Sequence, residues 1–564
     1  NGPTAPSFRG TGAAHTAILW NGITLQSPLS GSQDLSLLPN GFANEVILQK
    51  GGTSSLYGSG AIGGTIQLNN KPSFNQGLTA RTQQQLGSFG NHYQSYGINW
   101  SNRVFSNSTM FFARKMENDY PYLDRYAFPQ IEKKRKNAAI NQHGLLQQND
   151  WHVNKYHLLG IKVWYQLNDF EIPNATVASD NAAAQQKDEF VRTMLNWSYD
   201  RDKFSVEYKQ AFSWQDLIYQ PSVGDTSQLT FQTWVNRMVL NWDLSKQNTL
   251  TLGVNQNYER ASSGPFGNDA PTRNSTALFA SFRTKRWNDR LLAALNVREE
   301  IISNGANALT GSLGADYLLL DGLWLKGNLS RNYRLPTFND LYWRLDGSEG
   351  NPKLEAESSL NYEFGFKYQL PIASENLEIS TRSTYYNYLV DDWIQWEETG
   401  AGNWSPVNLK QVRSSGIESQ VSFDYKQDAF FTKVDFNYAY AKSINQEIAD
   451  PTKQAALNKQ LLYTPLHEGS INIKTGYKGW IATINHAYTG LQYSDRENLE
   501  RFALPAYHVM NLFLNKNFQT KKLGWNLQAA LNNVFDTDYE NRRGYPMYGR
   551  NYSISLEITF NNKL

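Results

Sequence analysis

Residues 51–70 read GGTSSLYGSGAIGGTIQLNN, a stretch that holds six glycines in its first fourteen positions and no charged side chain. Gly58, Gly60 and Gly63 spell GxGxxG, the pattern of a dinucleotide-binding turn. That turn needs a helix opening at the third glycine and an acidic residue about 20 positions later. Here the residues after Gly63 alternate as in a strand, and residues 46–116 contain no Asp or Glu. The stretch therefore predicts tight turns and a strand, and it excludes a nucleotide cofactor.

Aromatic residues are the unusual feature of the composition. The 564-residue chain has 16 Trp, 32 Tyr and 28 Phe, together 13% of its residues. Transmembrane barrels use such residues in girdles at both membrane interfaces, and their strands stay polar on average because alternate side chains face lipid. No apolar run reaches the roughly 18 residues of a membrane helix. The mean hydropathy of −0.57 is therefore compatible with a membrane barrel.

Charge and cysteine content exclude other classes of protein. A net charge of +2 argues against a nucleic-acid partner, and the dense basic run at residues 133–136 stands alone, which favours a solvated loop. The chain has no cysteine, so disulfides, Cys-ligated zinc and thiol catalysis are excluded. It shows no nucleophile–base set either. We therefore expect neither an enzyme nor a catalytic cofactor.

Beyond about residue 77 the sequence reads as all β. In the last strand, Tyr552–Phe560, apolar side chains alternate with Ser, Glu and Thr. Short polar turns alternate along the chain with mostly longer irregular segments, such as Glu117–Asn141 and Val390–Gln411. Ten short turns and eleven outer loops predict 22 antiparallel strands, and long loops confined to one side are typical of an outer-membrane β-barrel.

The first residues do not follow this hairpin rhythm. A 22-stranded barrel encloses a lumen wide enough to need a plug. We expect residues 1–72 to form a plug domain inside the lumen and residues 73–564 to form the barrel. Glycine supplies tight turns and close backbone approach, and a buried domain avoids unpaired charge. Because the chain starts at Asn1 without a signal-like segment, we expect the plug to be N-terminally incomplete.

Several motifs resemble those of TonB-dependent outer-membrane receptors. They are the Arg9-Gly10 element, the Asn21-Gly22 turn after a strand, the run Val46–Leu68, and near the C-terminus Asn533–Asp536 and Tyr545–Arg550. The resemblance covers the whole chain. It implies an integral protein of the bacterial outer membrane that imports a scarce, large ligand and is driven by the TonB energy complex through an N-terminal segment. The plug residues to which it assigns structural roles are Arg9, Gly10, Asn21, Gly22, Gly58, Gly60, Gly63 and Gly64.

Within the family, Ser30–Ser36 followed by Pro39 is similar to the branch that transports cobalamin (vitamin B12). This similarity implies ligand contact by two plug loops, and neutral polar groups with one aromatic ring suit a large, amide-rich, neutral ligand. The alternative is that these residues only satisfy backbone groups in turns. The residues concerned are Gln26, Ser27, Leu29, Ser30, Ser54, Ser55, Leu56 and Tyr57.

Other interpretations stay open at this stage. A ferric-siderophore receptor has the same fold, whereas a passive porin or a surface adhesin barrel belongs to a different class and lacks a plug. The branch resemblance also allows a surface lipoprotein over the outer loops and calcium in them. Asp169, Glu171 and Asp180 are the weak calcium candidates, because calcium needs six to eight oxygen ligands. Arg9 is expected to pair with a carboxylate of the barrel wall.

Overall fold

A computed structural model describes residues 5–177, 183–221, 224, 226–262, 264, 266, 270–303, 307–345, 347–372, 374–400, 403–448 and 451–562. None of the helices among these residues is long and apolar enough to cross a membrane.

The N-terminal part forms a four-stranded sheet in the order β2-β1-β4-β3, in which β1 and β4 are parallel. Its hairpin turns at Asn21-Gly22, where both residues have positive φ, as a type I′ turn requires. Gly63 leads directly into a strand, which confirms that the GxGxxG stretch is not a dinucleotide-binding turn. The elements are β1 (Thr16–Trp20), β2 (Ile23–Thr24), β3 (Glu45–Lys50), the one-turn helix α1 (Ser54–Tyr57) and β4 (Gly64–Asn69).

Twenty-two of the following strands close into an antiparallel barrel, which confirms the predicted fold class. The last strand pairs with the first and so leaves no sheet edge. Three small hairpins, β8-β9, β20-β21 and β30-β31, and a short helix α2 (Phe338–Tyr342) lie in the connections. In chain order the strands are β5 (Gly77–Gly87), β6 (Asn91–Ser101), β7 (Phe105–Met116), β8 (Pro121–Asp124), β9 (Ile131–Lys134), β10 (Ile140–His152), β11 (His157–Ile172), β12 (Ala184–Arg201), β13 (Phe204–Gln220), β14 (Ser227–Asp243), β15 (Asn248–Ala261), β16 (Thr272–Arg286), β17 (Leu291–Ile302), β18 (Asn307–Leu320), β19 (Leu323–Arg334), β20 (Arg344–Leu345), β21 (Ser348–Glu349), β22 (Glu357–Gln369), β23 (Leu377–Gly400), β24 (Asn403–Gln427), β25 (Phe430–Glu447), β26 (His467–Tyr477), β27 (Trp480–Thr489), β28 (Tyr507–Gln519), β29 (Leu523–Asn532), β30 (Glu540–Arg542), β31 (Tyr545–Pro546) and β32 (Asn551–Asn562).

The two ends of the barrel differ in their connections. Ten connections at one end are short turns, and the eleven at the other end include the long loops. This asymmetry identifies the short-turn end as periplasmic and the long-loop end as extracellular. The expected irregular segment Val390–Gln411 is an error of the sequence analysis, because β23 and β24 continue through most of it as a paired hairpin. The backbone groups of that hairpin are satisfied by each other, so alternation persists beyond the membrane.

The small sheet lies inside the barrel and ends at Asn69, and the barrel begins at Gly77. The predicted boundary at residue 72 falls in the connection between them. Hydrophobic plug residues such as Ile18, Trp20 and Phe42 pack against wall residues that include Trp164 and Phe190. This contact fixes one side of the plug against strands β10 to β14.

Arg9 ties the plug to the opposite wall. Its Nη1 lies 2.8 Å from Oε2 of Glu363 and its Nε lies 3.1 Å from Oε2 of Glu418, as the sequence analysis expected for a structural cation. The guanidinium also donates to the hydroxyl of Tyr388. Burial by itself would lower the pKa of Arg9, but Tyr388, Glu363 and Glu418 outweigh burial and hold that pKa above its ordinary value. Arg9 is therefore charged at every physiological pH.

The inside-outside assignment predicts unequal costs for one charge on two neighbouring residues. Leu514 is 47% exposed on the outer surface near the middle of β28, whereas Asn515 faces the lumen. Leu514→Arg should lower the free energy of unfolding by about 2–4 kcal/mol, since the cation would lie in the hydrocarbon region. Asn515→Arg should cost much less. Urea unfolding in lipid vesicles measures both, and equal costs would contradict the assignment.

Removing Arg9 should loosen the plug. Arg9→Leu leaves Glu363 and Glu418 without this cation, and breaking a buried ion pair in this way costs about 3–5 kcal/mol. We expect cells that carry this variant to become several-fold more sensitive to an antibiotic too large for intact outer membranes. Lys71→Leu is the control, because Lys71 pairs with Glu45 on an exposed part of the plug. Equal sensitivity of the two variants would contradict a specific role for Arg9.

Candidate functional site

Two plug loops meet at the extracellular half of the barrel. The Ser54 N–H donates to Oδ1 of Asn332 at 3.2 Å, and the Gly60 N–H donates to the Tyr333 carbonyl at 3.1 Å. Both wall residues lie near the extracellular end of β19. Segment 26–31 lies beside this region, because Gly31 and Gly60 both approach Ala14. The loops that the sequence analysis selected are therefore brought together in the extracellular half of the barrel.

A cavity of about 90 Å³ separates these loops from strands β15, β16, β17 and β19. Gln26, Ser27 and Tyr57 line it from the plug. The burial of Tyr57 raises the pKa of its hydroxyl, which accepts a hydrogen bond from Nε2 of Gln67 at 2.8 Å. Tyr57 is therefore a neutral phenol at physiological pH. Among the described lining residues, those of the plug carry no charged side chain.

The barrel wall contributes charges to the cavity, but each one is paired. Nη2 of Arg273 lies 2.6 Å from Oε2 of Glu259. Nη2 of Arg334 lies 2.5 Å from Oε1 of Glu357. The second carboxylate of the lining, Glu300, is 2.7 Å from Nη2 of Arg298. Among the described lining residues no cation is left free to bind an anion.

Three of the eight predicted ligand residues are covered by other parts of the protein. Leu29 is 3% exposed and packs in a cluster with Phe231 and Phe338. Ser54 and Ser55 are fully buried, and Ser55 Oγ lies 3.2 Å from Ser312 Oγ of the wall. These three side chains present no surface to a ligand in this structure, because the plug uses them to pack against the barrel.

The other five predicted residues retain exposed surface. Gln26 Nε2 donates to the Gly31 carbonyl at 2.7 Å, and Ser27 Oγ accepts from the Leu29 N–H at 3.2 Å, so both also serve the turn. Ser30 is exposed at its tip. Leu56 and Tyr57 are partly buried in α1. Ligand contact stays a prediction for these five residues.

An extracellular segment that the sequence analysis did not single out covers the plug loop. The Phe338 N–H donates to the Pro28 carbonyl at 2.9 Å, and Phe338 is 1% exposed. Thr337 and Asp340 form a capping box at the start of α2, each side chain accepting from the backbone of the other. The Thr-x-x-Asp spacing is the sequence signal that could have predicted the start of this helix. The segment joins an extracellular loop to the plug.

His15 connects the plug with the same loop. Its Nδ1 accepts from the Gly12 N–H at 2.9 Å, so Nε2 carries the proton that it donates to Glu357. Glu357 is fully buried and also accepts from Arg334, which lies 3.6 Å from Asp340 of α2. The ring of His15 packs edge-on against Trp393, with ring centres 4.3 Å apart. The structure gives it a polar role as well.

The three calcium candidates differ in their surroundings. Glu171 accepts from the Ala139 N–H at 3.0 Å and Asp169 lies 3.9 Å from Lys187. Asp180 lies outside the described residues. In the described part of the chain no group of three or more His, Cys, Asp or Glu side chains could hold a metal ion. Calcium binding stays an untested prediction.

Comparisons with known proteins agree with this architecture. Residues 163–534 match the family described as TonB dependent receptor-like, beta-barrel, and residues 1–65 match the TonB-dependent Receptor Plug Domain. The Vitamin B12 transporter BtuB of Photobacterium profundum is 24% identical over 98% of this chain and 85% of its own length. BtuB of Vibrio vulnificus is 23% identical over the same shares.

Solved structures share the fold. The copper transporter OprC superposes with a TM-score of 0.78 at 17% identity, over 99% of this chain and 94% of its own. The ferric enterobactin receptor PfeA of Pseudomonas aeruginosa gives a TM-score of 0.77 at 15% identity, over 98% of this chain and 93% of its own. Because the family match spans most of the barrel, and a second match covers the plug, the chain belongs to the TonB-dependent receptors of the bacterial outer membrane.

Proposed function

We propose that this receptor imports cobalamin or a related corrinoid across the outer membrane, using the TonB energy complex. The observation that carries this proposal is the match to two vitamin B12 transporters over 98% of the chain. Import of a large ligand follows from the family, whereas the choice of corrinoid belongs to the proposal.

The chemistry of the plug surface supports a neutral ligand. Segments 26–31 and 54–57 contain no Lys or Arg, and the two arginines that line the cavity are both paired with carboxylates. An anionic iron chelate would gain from free guanidinium groups, which bind carboxylate and phosphate oxygens with two parallel hydrogen bonds. Amides and hydroxyls suit the amide-bearing rim of a corrinoid better.

The small size of the cavity supports a ligand site outside it. A space of about 90 Å³ is far below the roughly 300–1,000 Å³ of ordinary small-molecule sites. We therefore propose that a corrinoid binds beside α2, next to Ser30, which is exposed and follows the Leu29 carbonyl that the Asn339 N–H of α2 contacts. Because α2 is hydrogen-bonded to Pro28 and Leu29, a ligand that displaced α2 would change the contacts of the plug directly. This arrangement offers a route from capture to release.

A ferric-siderophore receptor is the second candidate, and one observation favours it. The extracellular loops hold exposed cations over aromatic rings: Arg542 lies 5.9 Å from the ring centre of Tyr545, and Arg501 lies 4.6 Å from that of Phe502. Such pairs could receive an anionic aromatic chelate. Among the fold neighbours, the PfeA and PirA structures carry names that refer to ferric enterobactin or to a siderophore.

Calorimetry on the purified receptor distinguishes the two candidates. We expect cobalamin to bind with submicromolar affinity and ferric enterobactin to give no saturable heat. Saturable binding of the iron chelate without heat from cobalamin would reverse the assignment.

One substitution tests where cobalamin binds. Ser30→Trp should weaken cobalamin binding at least tenfold, because an indole at the exposed tip of segment 26–31 would occupy the space of the ligand. Ser36→Trp is the matched control, since Ser36 is also exposed on the plug but lies outside both predicted loops. We expect the control to stay within about twofold of the wild type. Equal affinities of the two variants would place the ligand elsewhere.

Deleting residues 1–72 tests the import mechanism. The barrel should still assemble, because its strands pair with one another all around the circle. Saturable, energy-dependent uptake of cobalamin should disappear, and small solutes should leak through the open lumen. Electrophoretic heat-modifiability of the barrel monitors assembly, and radiolabelled uptake with and without a proton gradient monitors transport. Unchanged energised uptake would contradict the proposed role of the plug.

A further inference from the structure

The lipid-facing surface of strands β24 to β28 contains a groove of about 400 Å³ near its extracellular end. Its origin lies in one row of outward residues across five neighbouring strands. In this row Ser419 pairs with Tyr438, Tyr438 with Gly469, Gly469 with Tyr488, and Tyr488 with His508. Gly469 has no side chain, so the surface drops between the two tyrosines.

The floor and lower wall of the groove are largely apolar. The next row toward the membrane centre contains Val421, Phe436 and Ile471, followed by His486 opposite Ile471, and all four residues line the groove. Phe436 is 42% exposed and Ile471 is 37% exposed on the lipid-facing side of the sheet. A Cβ on Gly469 would meet no atom nearer than 3.5 Å, so open space lies over this glycine. The shape and chemistry suit a hydrocarbon chain.

Polar and cationic groups lie directly above the groove. The row above it contains Tyr440 and His467, and Nδ1 of His467 lies 2.8 Å from the hydroxyl of Tyr438. One step further out lies Lys442, exposed and of the same outward parity as Tyr438 and Tyr440. Arg413 pairs with Ile444 and is therefore a diagonal neighbour of Lys442.

These two cations have no acidic partner in the part of the chain that the structure describes. Nε of Arg413 donates to Oδ1 of the neutral Asn387 at 2.7 Å, and Lys442 takes part in no ion pair among the described residues. The remaining N–H groups of Arg413 and the ammonium of Lys442 are available to an anion. A guanidinium and an ammonium at headgroup level are the groups that bind lipid phosphates.

We propose that this surface binds one phosphorylated, acylated glycolipid of the outer leaflet. An acyl chain occupies the groove over Gly469, and a sugar phosphate lies against Arg413 and Lys442. The extracellular position selects this lipid, because the groove lies within a few residues of the extracellular ends of β26 and β27. Its role is to anchor strands β24 to β28, which carry Glu418 on their inner face and so hold Arg9 of the plug.

Native mass spectrometry of the full chain in detergent tests this site, using bis-phosphorylated lipid A as the probe. We expect one dissociation-resistant adduct per barrel. Gly469→Leu, which fills the groove, and the double variant Arg413→Gln/Lys442→Gln, which removes the cations, should each reduce the adduct at least fivefold. Heat-modifiable electrophoresis confirms that each variant is assembled before it is compared.

Two matched variants serve as controls. Gly327→Leu fills an outward glycine of β19 in open space, and Lys115→Gln removes an exposed outward cation at the extracellular end of β7. Both should keep the adduct. Dephosphorylated lipid A should bind the wild type as weakly as bis-phosphorylated lipid A binds the double variant. Equal losses in Gly327→Leu and Gly469→Leu, or equal binding of the two lipids, would overturn the proposal, because either result indicates annular lipid only.

Discussion

Backbone hydrogen bonding in a medium without water is the constraint on which the rest of the structure depends. Every N–H and C=O at membrane depth must find a partner inside the protein, and a sheet achieves this only by closing on itself. With 22 strands the closed sheet surrounds a wide lumen, which the plug domain fills. Inside the lumen an unpaired buried charge of the plug would be costly. The glycine-rich plug and the single buried arginine near its start are consequences of that closure. Gly52 illustrates this, since a Cβ there would collide with the side chain of Asn332 in the barrel wall.

The sequence predicted those features that are local or periodic. Alternation with a period of two predicted the strands, and the alternation of short turns with longer loops predicted their number. The Asn21-Gly22 motif predicted a turn after a strand, which the structure forms as a type I′ hairpin. Long-range pairings had no local signal. Glu363 and Glu418, the partners of Arg9, lie more than 350 residues away and are ordinary inward carboxylates in their own strands. The paired hairpin of β23 and β24 was also missed, because its polar residues read as a loop although backbone pairing continues.

The candidate site shows the same division. The plug loops were found because their motifs are local, and the structure brings them to one cavity. Which residues of those loops face solvent was decided by packing against the wall, and that packing covers Leu29, Ser54 and Ser55. The charge balance of the cavity likewise arises from neighbouring strands. Arg273 and Glu259 are 14 positions apart in the chain, yet they meet because β15 and β16 place them opposite each other.

A short chain of contacts joins the extracellular loops to the plug interior. Asp340 caps α2 and lies near Arg334, Arg334 binds Glu357, and Glu357 accepts from His15 of the plug. Glu357 is fully buried, so the loss of Arg334 or of His15 as its partner would leave a desolvated carboxylate that water cannot reach. Moving α2 away from the plug would therefore disturb two contacts at once, its own hydrogen bonds to Pro28 and Leu29 and the partners of Glu357. A ligand that displaces α2 would change both sets of contacts together. This linkage would couple an extracellular event to the interior of the barrel.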